Sequence, residues 1–154
     1  MNPLLAAFLI GAVCGLRSMT GPAAVCWAAH LGRLQLASTR LSWMGSTAAA
    51  WSITILALAE IVNDKLPKTP SRKSPGPFIA RIVLGGFSGA AIGAGTGSLL
   101  TAAVAGAAGA IAGTLGGYEF RMGLVTATGG KDLPIALLED VIAVGGAALI
   151  LAIV

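Results

Sequence analysis

This sequence is poor in charge: Asp, Glu, Lys and Arg make up 10% of its 154 residues, against about 25% in a soluble domain. With 56% hydrophobic residues and a mean hydropathy of +0.87, that shortage excludes an ordinary soluble globule. One core of this size cannot hide so much apolar surface. Histidine occurs once, as His30, and cysteine twice, as Cys14 and Cys26. Without a second cysteine pair or a histidine cluster there is neither zinc spacing nor a disulfide framework, and no cofactor is implied. The two thiols read as buried and inert. No cation precedes the first apolar run, and Gly11-Ala12-Val13 before Cys14 fit a lipoprotein cleavage site poorly. Residues 3–16 are therefore expected to be retained rather than removed as a signal peptide.

What is abundant is apolar sequence. It covers residues 3–16, 43–62, 82–118 and 133–154, and the third stretch has no charge in 37 residues, room for two crossings of about 20 residues each. The fold class expected is all-α, a polytopic integral membrane protein of about six helices, at 3–19, 22–36, 41–62, 78–95, 98–118 and 133–154. Gly21-Pro22 is expected to end the first helix, since proline lacks a donor and disfavours helix before it. Asp132 ahead of Leu133-Pro134 reads as an N-cap. The first two helices are short, so a re-entrant hairpin is an open alternative. The Asn63–Pro77 stretch, with Pro67, Pro70, Pro75 and Pro77 among basic residues, is the hinge. The single membrane domain, 1–154, then divides into a first repeat (1–63), a basic Pro-rich linker (64–77) and a second repeat (78–154).

The repeat reading rests on an echo. Ala57-Leu58-Ala59-Glu60-Ile61-Val62 resembles Ala136-Leu137-Leu138-Glu139-Asp140-Val141, and the two glutamates lie 79 residues apart. The same offset pairs Phe8 with Phe87 and Ala23-Ala24-Val25 with Ala102-Ala103-Val104. It yields 15 identities in 75 pairs, against roughly eight expected from this composition. An odd number of crossings per half forces the halves into opposite orientations, the inverted-repeat arrangement of many transporters. Charge agrees: Arg17, Lys65, Lys68, Arg72, Lys73, Arg81, Arg121 and Lys131 fall on one side, Arg33 and Arg40 on the other. The positive-inside rule then makes the 63–81 loop cytoplasmic, with both termini outside a bacterial inner membrane.

Glycine recurs every fourth residue at Gly85, Gly89, Gly93 and Gly97, and again at Gly109, Gly113 and Gly117. Residues four apart share a helix face, so each series forms a smooth helix-packing groove of GxxxG type. Such a groove serves close packing within the chain or between copies in a homo-oligomer, or lines a moving surface.

Ionisable groups beside apolar segments are the candidate substrate- or ion-binding residues, because each is costly inside a bilayer. Arg17, Ser18 and Thr20 surround the break before Gly21-Pro22, where freed backbone groups and hydroxyls could hold a ligand. The alternative is a boundary arginine snorkelling to phosphates. Glu60, Asn63 and Asp64 line one face at the end of the third helix, a set suited to a cation or proton. Glu139 and Asp140 open the last helix, where its dipole also favours acids. Tyr118 with Glu119 and Arg121 reads as an interface anchor. Gly93–Ser98 lacks the strand and GK[ST] of a phosphate loop. No catalytic or metal constellation is recognised, so an enzyme is not expected, and the basic loop needs anionic lipid rather than nucleic acid.

Gly15-Leu16-Arg17, Glu60 followed by Asp64-Lys65-Leu66-Pro67, the small-residue helices of the second half and Leu138-Glu139-Asp140 together resemble a bacterial family of small integral membrane proteins catalogued only as a domain of unknown function. The Lys68–Pro77 linker departs from the longer amphipathic connection of that family. The resemblance implies a membrane location and adds no activity. The leading functional expectation is a transporter or channel for a small solute or ion, with Arg17, Glu60 and Glu139-Asp140 at its site. The alternative is a non-catalytic scaffold using the glycine faces, and a lipid enzyme based on Glu60 and Asp64 comes third.

Overall fold

The computed structural model describes residues 1–65 and 74–154. Helix α1 (Pro3–Leu16) begins where the Asn2 side chain accepts the Leu4 N–H at 2.8 Å and Pro3 takes a first-turn position that needs no donor. It stops at Arg17, whose backbone is extended (φ −139°, ψ 110°). Helix α2 (Thr20–His30) follows. The break thus falls at Arg17–Met19, ahead of the expected Gly21-Pro22. Pro22 sits in the first turn of α2, where a missing N–H costs nothing, so it opens a helix instead of ending one.

The other boundaries move for equally local reasons. α2 ends at His30 rather than near Leu36, and Gly32 turns the chain at φ +73°, a conformation that suits only glycine at low cost. A connection with a short 3-10 turn (Ser42–Gly45) leads to α3 (Thr47–Asn63). Helix α3 starts six residues later than expected because Ser46 caps it, accepting the Ala49 N–H at 3.1 Å. Helix α4 (Pro75–Ala94) has Pro75 and Pro77 in its first turn. Helix α5 (Leu99–Ala127) runs nine residues past the expected end, carrying Tyr118, Glu119 and Arg121 on helix instead of at a terminus. Gly129 and Gly130, at φ +70° and +87°, make the next turn. Helix α6 (Asp132–Ile153) has Asp132 as its first helical residue, preceded by Lys131 with no side-chain cap. The N-cap expected of Asp132 is therefore not formed. The basic linker expected at 64–77, including Pro67, Lys68, Pro70, Arg72 and Lys73, lies for the most part outside the described residues.

The helices run alternately between two ends. At one end the Met1 ammonium meets the Ile153 carbonyl at 3.3 Å, Arg33 Nη1 meets the Ala152 carbonyl at 3.5 Å, and His30 Nδ1 meets the Gly45 carbonyl at 3.0 Å. Arg17, the end of α3 and the start of α6 share the opposite end. So α1 and α2 form a hairpin along the bundle rather than a loop at one end. Helices α4, α5 and α6 are each long and apolar enough to cross a membrane, while α1 and α3 are apolar but shorter. Large apolar side chains such as Ile55, Val104, Leu137 and Val141 lie exposed on the outer faces, as they would against lipid.

Helices α1, α4 and α5 make the centre. A Cβ added at Gly109 or Gly113 would strike the α1 backbone at Phe8 or Ala12, and one at Gly117 would strike the Leu16 side chain. Across the second contact, Gly85 and Gly89 face Gly106 and Ala102 of α5, and Gly93 faces Ala102 and Ser98, the residue just ahead of that helix. Backbones meet here because no side chain stands between them. Gly97 does not belong to this surface: it lies in the α4–α5 turn at φ +72° with open space around it. Helix α3 sits outermost, with only Ala50 and Ala57 buried.

Candidate functional site

The α1–α2 break puts Arg17 inside the protein. Its side chain is wholly buried and is the largest to be so among the described residues. Arg17 Nη1 pairs with Asp64, the residue that closes α3, and Nη2 pairs with Asp140 Oδ1 of α6 at 2.6 Å. Lys65 Nζ joins from the other side, at 2.7 Å from Asp140 Oδ2 and 3.1 Å from the Ile61 carbonyl. A planar guanidinium with donors fixed in a fork can serve two carboxylates at once, where a single ammonium serves them less well. The cluster ties the first helix break to the third and sixth helices.

Glu60 plays a second part. The start of α2 has no side-chain cap of its own, and its Thr20 N–H goes to the Arg17 carbonyl at 3.2 Å, which leaves the Ser18 and Met19 N–H groups of the break in need of acceptors. Glu60 Oε1 accepts the Ser18 N–H at 2.8 Å and the Ser18 hydroxyl at 2.6 Å, and Oε2 accepts the Met19 N–H at 2.8 Å. A carboxylate at a helix N-terminus also meets the positive end of the dipole. Glu60 thus caps the break just ahead of α2 from another helix.

A further ion pair lies alongside. Arg121 of α5 holds Asp132 through Nε at 2.9 Å and Nη2 at 2.7 Å, and reaches Glu139 Oε2 at 3.4 Å. This bidentate pair fastens the end of α5 to the start of α6. Deeper in, Thr114 Oγ1 donates to the Ala110 carbonyl at 2.7 Å and approaches the Gly15 carbonyl at 3.3 Å, covering the end of α1.

Of the residues singled out from sequence, Arg17, Ser18, Glu60, Asp64 and Asp140 meet in one cluster. Glu139 is buried but turns to Arg121. With α6 starting at Asp132, Glu139 and Asp140 lie two turns inside the helix, deeper than expected, and tertiary partners rather than the helix terminus account for their charge. Asn63 is exposed at the end of α3, lining a shallow cleft with Ser18, Met19 and Glu60. Thr20 is buried beside the cluster, and its hydroxyl has no hydrogen-bond partner among the described residues. The same is true of Arg17 Nε. Sequence reasoning missed the Arg121–Asp132 link. Its signal was the apolar run Phe120, Met122, Leu124 and Val125, which carries the fifth helix through the charges. Among the described residues no group of three His, Cys, Asp or Glu side chains is placed to hold a metal ion.

All six acidic residues of the sequence, Glu60, Asp64, Glu119, Asp132, Glu139 and Asp140, lie toward this end of the bundle. The resulting picture is an apolar helical bundle closed at one end by interlocked charges. No curated protein and no solved structure matches the chain. The family model described as a domain of unknown function (DUF4126) matches residues 4–153, and the chain belongs to that family.

Proposed function

We propose that this membrane protein moves a small solute or ion, and that the Arg17 cluster is both its ligand site and its closed gate. One observation carries the reading: a wholly buried arginine in a helix break is held by carboxylates from both halves of the sequence. Buried ion pairs stabilise a fold poorly compared with apolar packing, and ionisable groups within apolar helices mark ligand paths. Arg17 Nε and the Thr20 hydroxyl add polar atoms that the described residues leave unused. Protonating Asp64 or Asp140, or placing a competing ion between them, would weaken the hold on Arg17 and loosen α3 and α6 from the break.

The inverted duplication belongs to the same proposal. Support comes from register: shifted by 79 residues, the first residue of α2, Thr20, falls on the first residue of α5, Leu99, and the Arg17–Met19 break falls on the α4–α5 turn. Equivalent helices also run in opposite directions. Glu60 and Glu139 do not share this symmetry, since both lie at the charged end. By the positive-inside rule that end faces the cytoplasm of a bacterial cell, with the termini outside. A scaffold role through the glycine faces is less favoured, because those faces are filled within the chain. A homo-oligomer would have to use the exposed apolar sides of α3, α5 or α6.

The test is flux. Purified protein in liposomes is assayed with a panel of cations and anions, alongside Glu60→Gln and Arg17→Ala reconstituted to the same level. Uptake above that of protein-free vesicles is expected, with a change on the order of tenfold or more in either variant, as for loss of a charged contact of about 1.4 kcal/mol or more. No flux, or flux unchanged in both variants, defeats the proposal.

A further inference from the structure

A second site lies at the back of the cluster. Helices α2, α3 and α6 enclose a groove of about 440 Å³ that opens to the side, within the range of small-molecule sites. Its floor is α2 and its walls are α3 and α6, which do not pack closely on each other. Ala24, Ala28, Ala57, Ala147 and Ala148 line it, and their short side chains are what leave the space. One end is closed by Thr20, which is buried. The other opens at Arg33, an exposed residue beyond the end of α2. Helix α2, which runs between them, is about 17 Å long.

Arg33 decides the occupant. Every acidic side chain of the sequence sits at the far end of the bundle, so no carboxylate side chain can answer this guanidinium. Its one described polar contact is the Ala152 carbonyl at 3.5 Å. A long apolar slot open to the side, with a cation at its mouth that no carboxylate side chain pairs, matches a lipid: the chain in the slot, the phosphate on the cation. We propose that the groove seats one acyl chain of an anionic phospholipid with its headgroup on Arg33. The groove meets the Arg17 cluster at Thr20, its closed end, but its occupancy is read without measuring transport.

Trp27 lines the groove and reports on it. With Trp43→Phe and Trp51→Phe it becomes the sole tryptophan of the chain, and bromine on a neighbouring acyl chain quenches its fluorescence. The full-length protein is reconstituted in phosphatidylcholine vesicles containing graded amounts of brominated phosphatidylglycerol or brominated phosphatidylcholine. The anionic lipid should reach half-maximal quenching at about fivefold lower mole fraction, the advantage of one cation near the headgroup. Arg33→Gln should erase that advantage. Ala148→Phe, at an exposed position on the groove wall, should reduce quenching by both lipids. Equal quenching by the two lipids, or a preference untouched by Arg33→Gln, overturns the headgroup assignment. Quenching indifferent to Ala148→Phe overturns the groove as the seat of the chain.

Discussion

Arg17 is held on two sides, and the cost of removing it comes mostly from what remains. Arg17→Ala leaves Asp64 and Asp140 as neighbouring carboxylates with one guanidinium fewer, an expected loss of about 3–5 kcal/mol. Arg17→Lys should recover only part of this, since one ammonium cannot reproduce two forked contacts. Pairing Arg17→Ala with Asp64→Asn should cost less than the two changes added together, with a coupling of about 0.5–3 kcal/mol. Thermal melting of the four proteins in detergent measures that coupling, and a value near zero would contradict the pairing. These residues were visible in the sequence because a charge in an apolar stretch stands out. Their partners were not, because which carboxylate meets which cation depends on how the helices are arranged. Lys65 shows the gap: it follows Asp64 directly, yet it pairs with Asp140, 75 residues away.

At the level of the helix, glycines on one element have opposite tasks. Gly109 of α5 lies against the Phe8 carbonyl of α1, whereas Gly116 has nothing near the place a Cβ would take. Gly109→Ala must push two backbones apart and should cost about 1–3 kcal/mol. Gly116→Ala meets no obstacle and should gain about 0.5–1 kcal/mol from helix propensity alone. Melting temperatures that move the same way in both variants would refute the assigned contact. The four-residue spacing revealed the packing faces, since periodicity is a local property. Helix ends were harder to read. Pro22 and Asp132 look like a stop and a cap in sequence, but one occupies a first turn and the other is taken by Arg121.

Across the whole molecule, cohesion is uneven. Helices α1, α4 and α5 interlock through backbone contact, while α3 buries only Ala50 and Ala57 and is fastened by polar ties. These are Trp27 Nε1 to Thr54 Oγ1 at 2.9 Å, the Glu60 cap and the Arg17–Asp64 pair. An element with little buried apolar area opens below the global free energy. In hydrogen exchange, α3 amides should exchange on the order of tenfold faster than those of α1 and α5, a difference of about 1.4 kcal/mol. Glu60→Gln should speed α3 further and leave α5 unchanged; uniform rates across the bundle would show that the polar ties do not set the stability of α3. The six helices among the described residues and their alternation were legible from hydropathy and charge. The unequal attachment of α3 was not, because its sequence is as apolar as that of the central helices.

The seat of α1 on α5 also bears on how the chain is made. Synthesis delivers α1 first, yet the glycines it rests on belong to the fifth helix, and Asp140 lies 123 residues after Arg17. Of the two carboxylates that hold Arg17, Asp64 is made 47 residues after it and Asp140 much later. Helix α1 therefore waits for its seat until α5 has been made. A nascent chain halted before α5 holds Arg17 with one of its two carboxylates and α1 with no backbone to lie on.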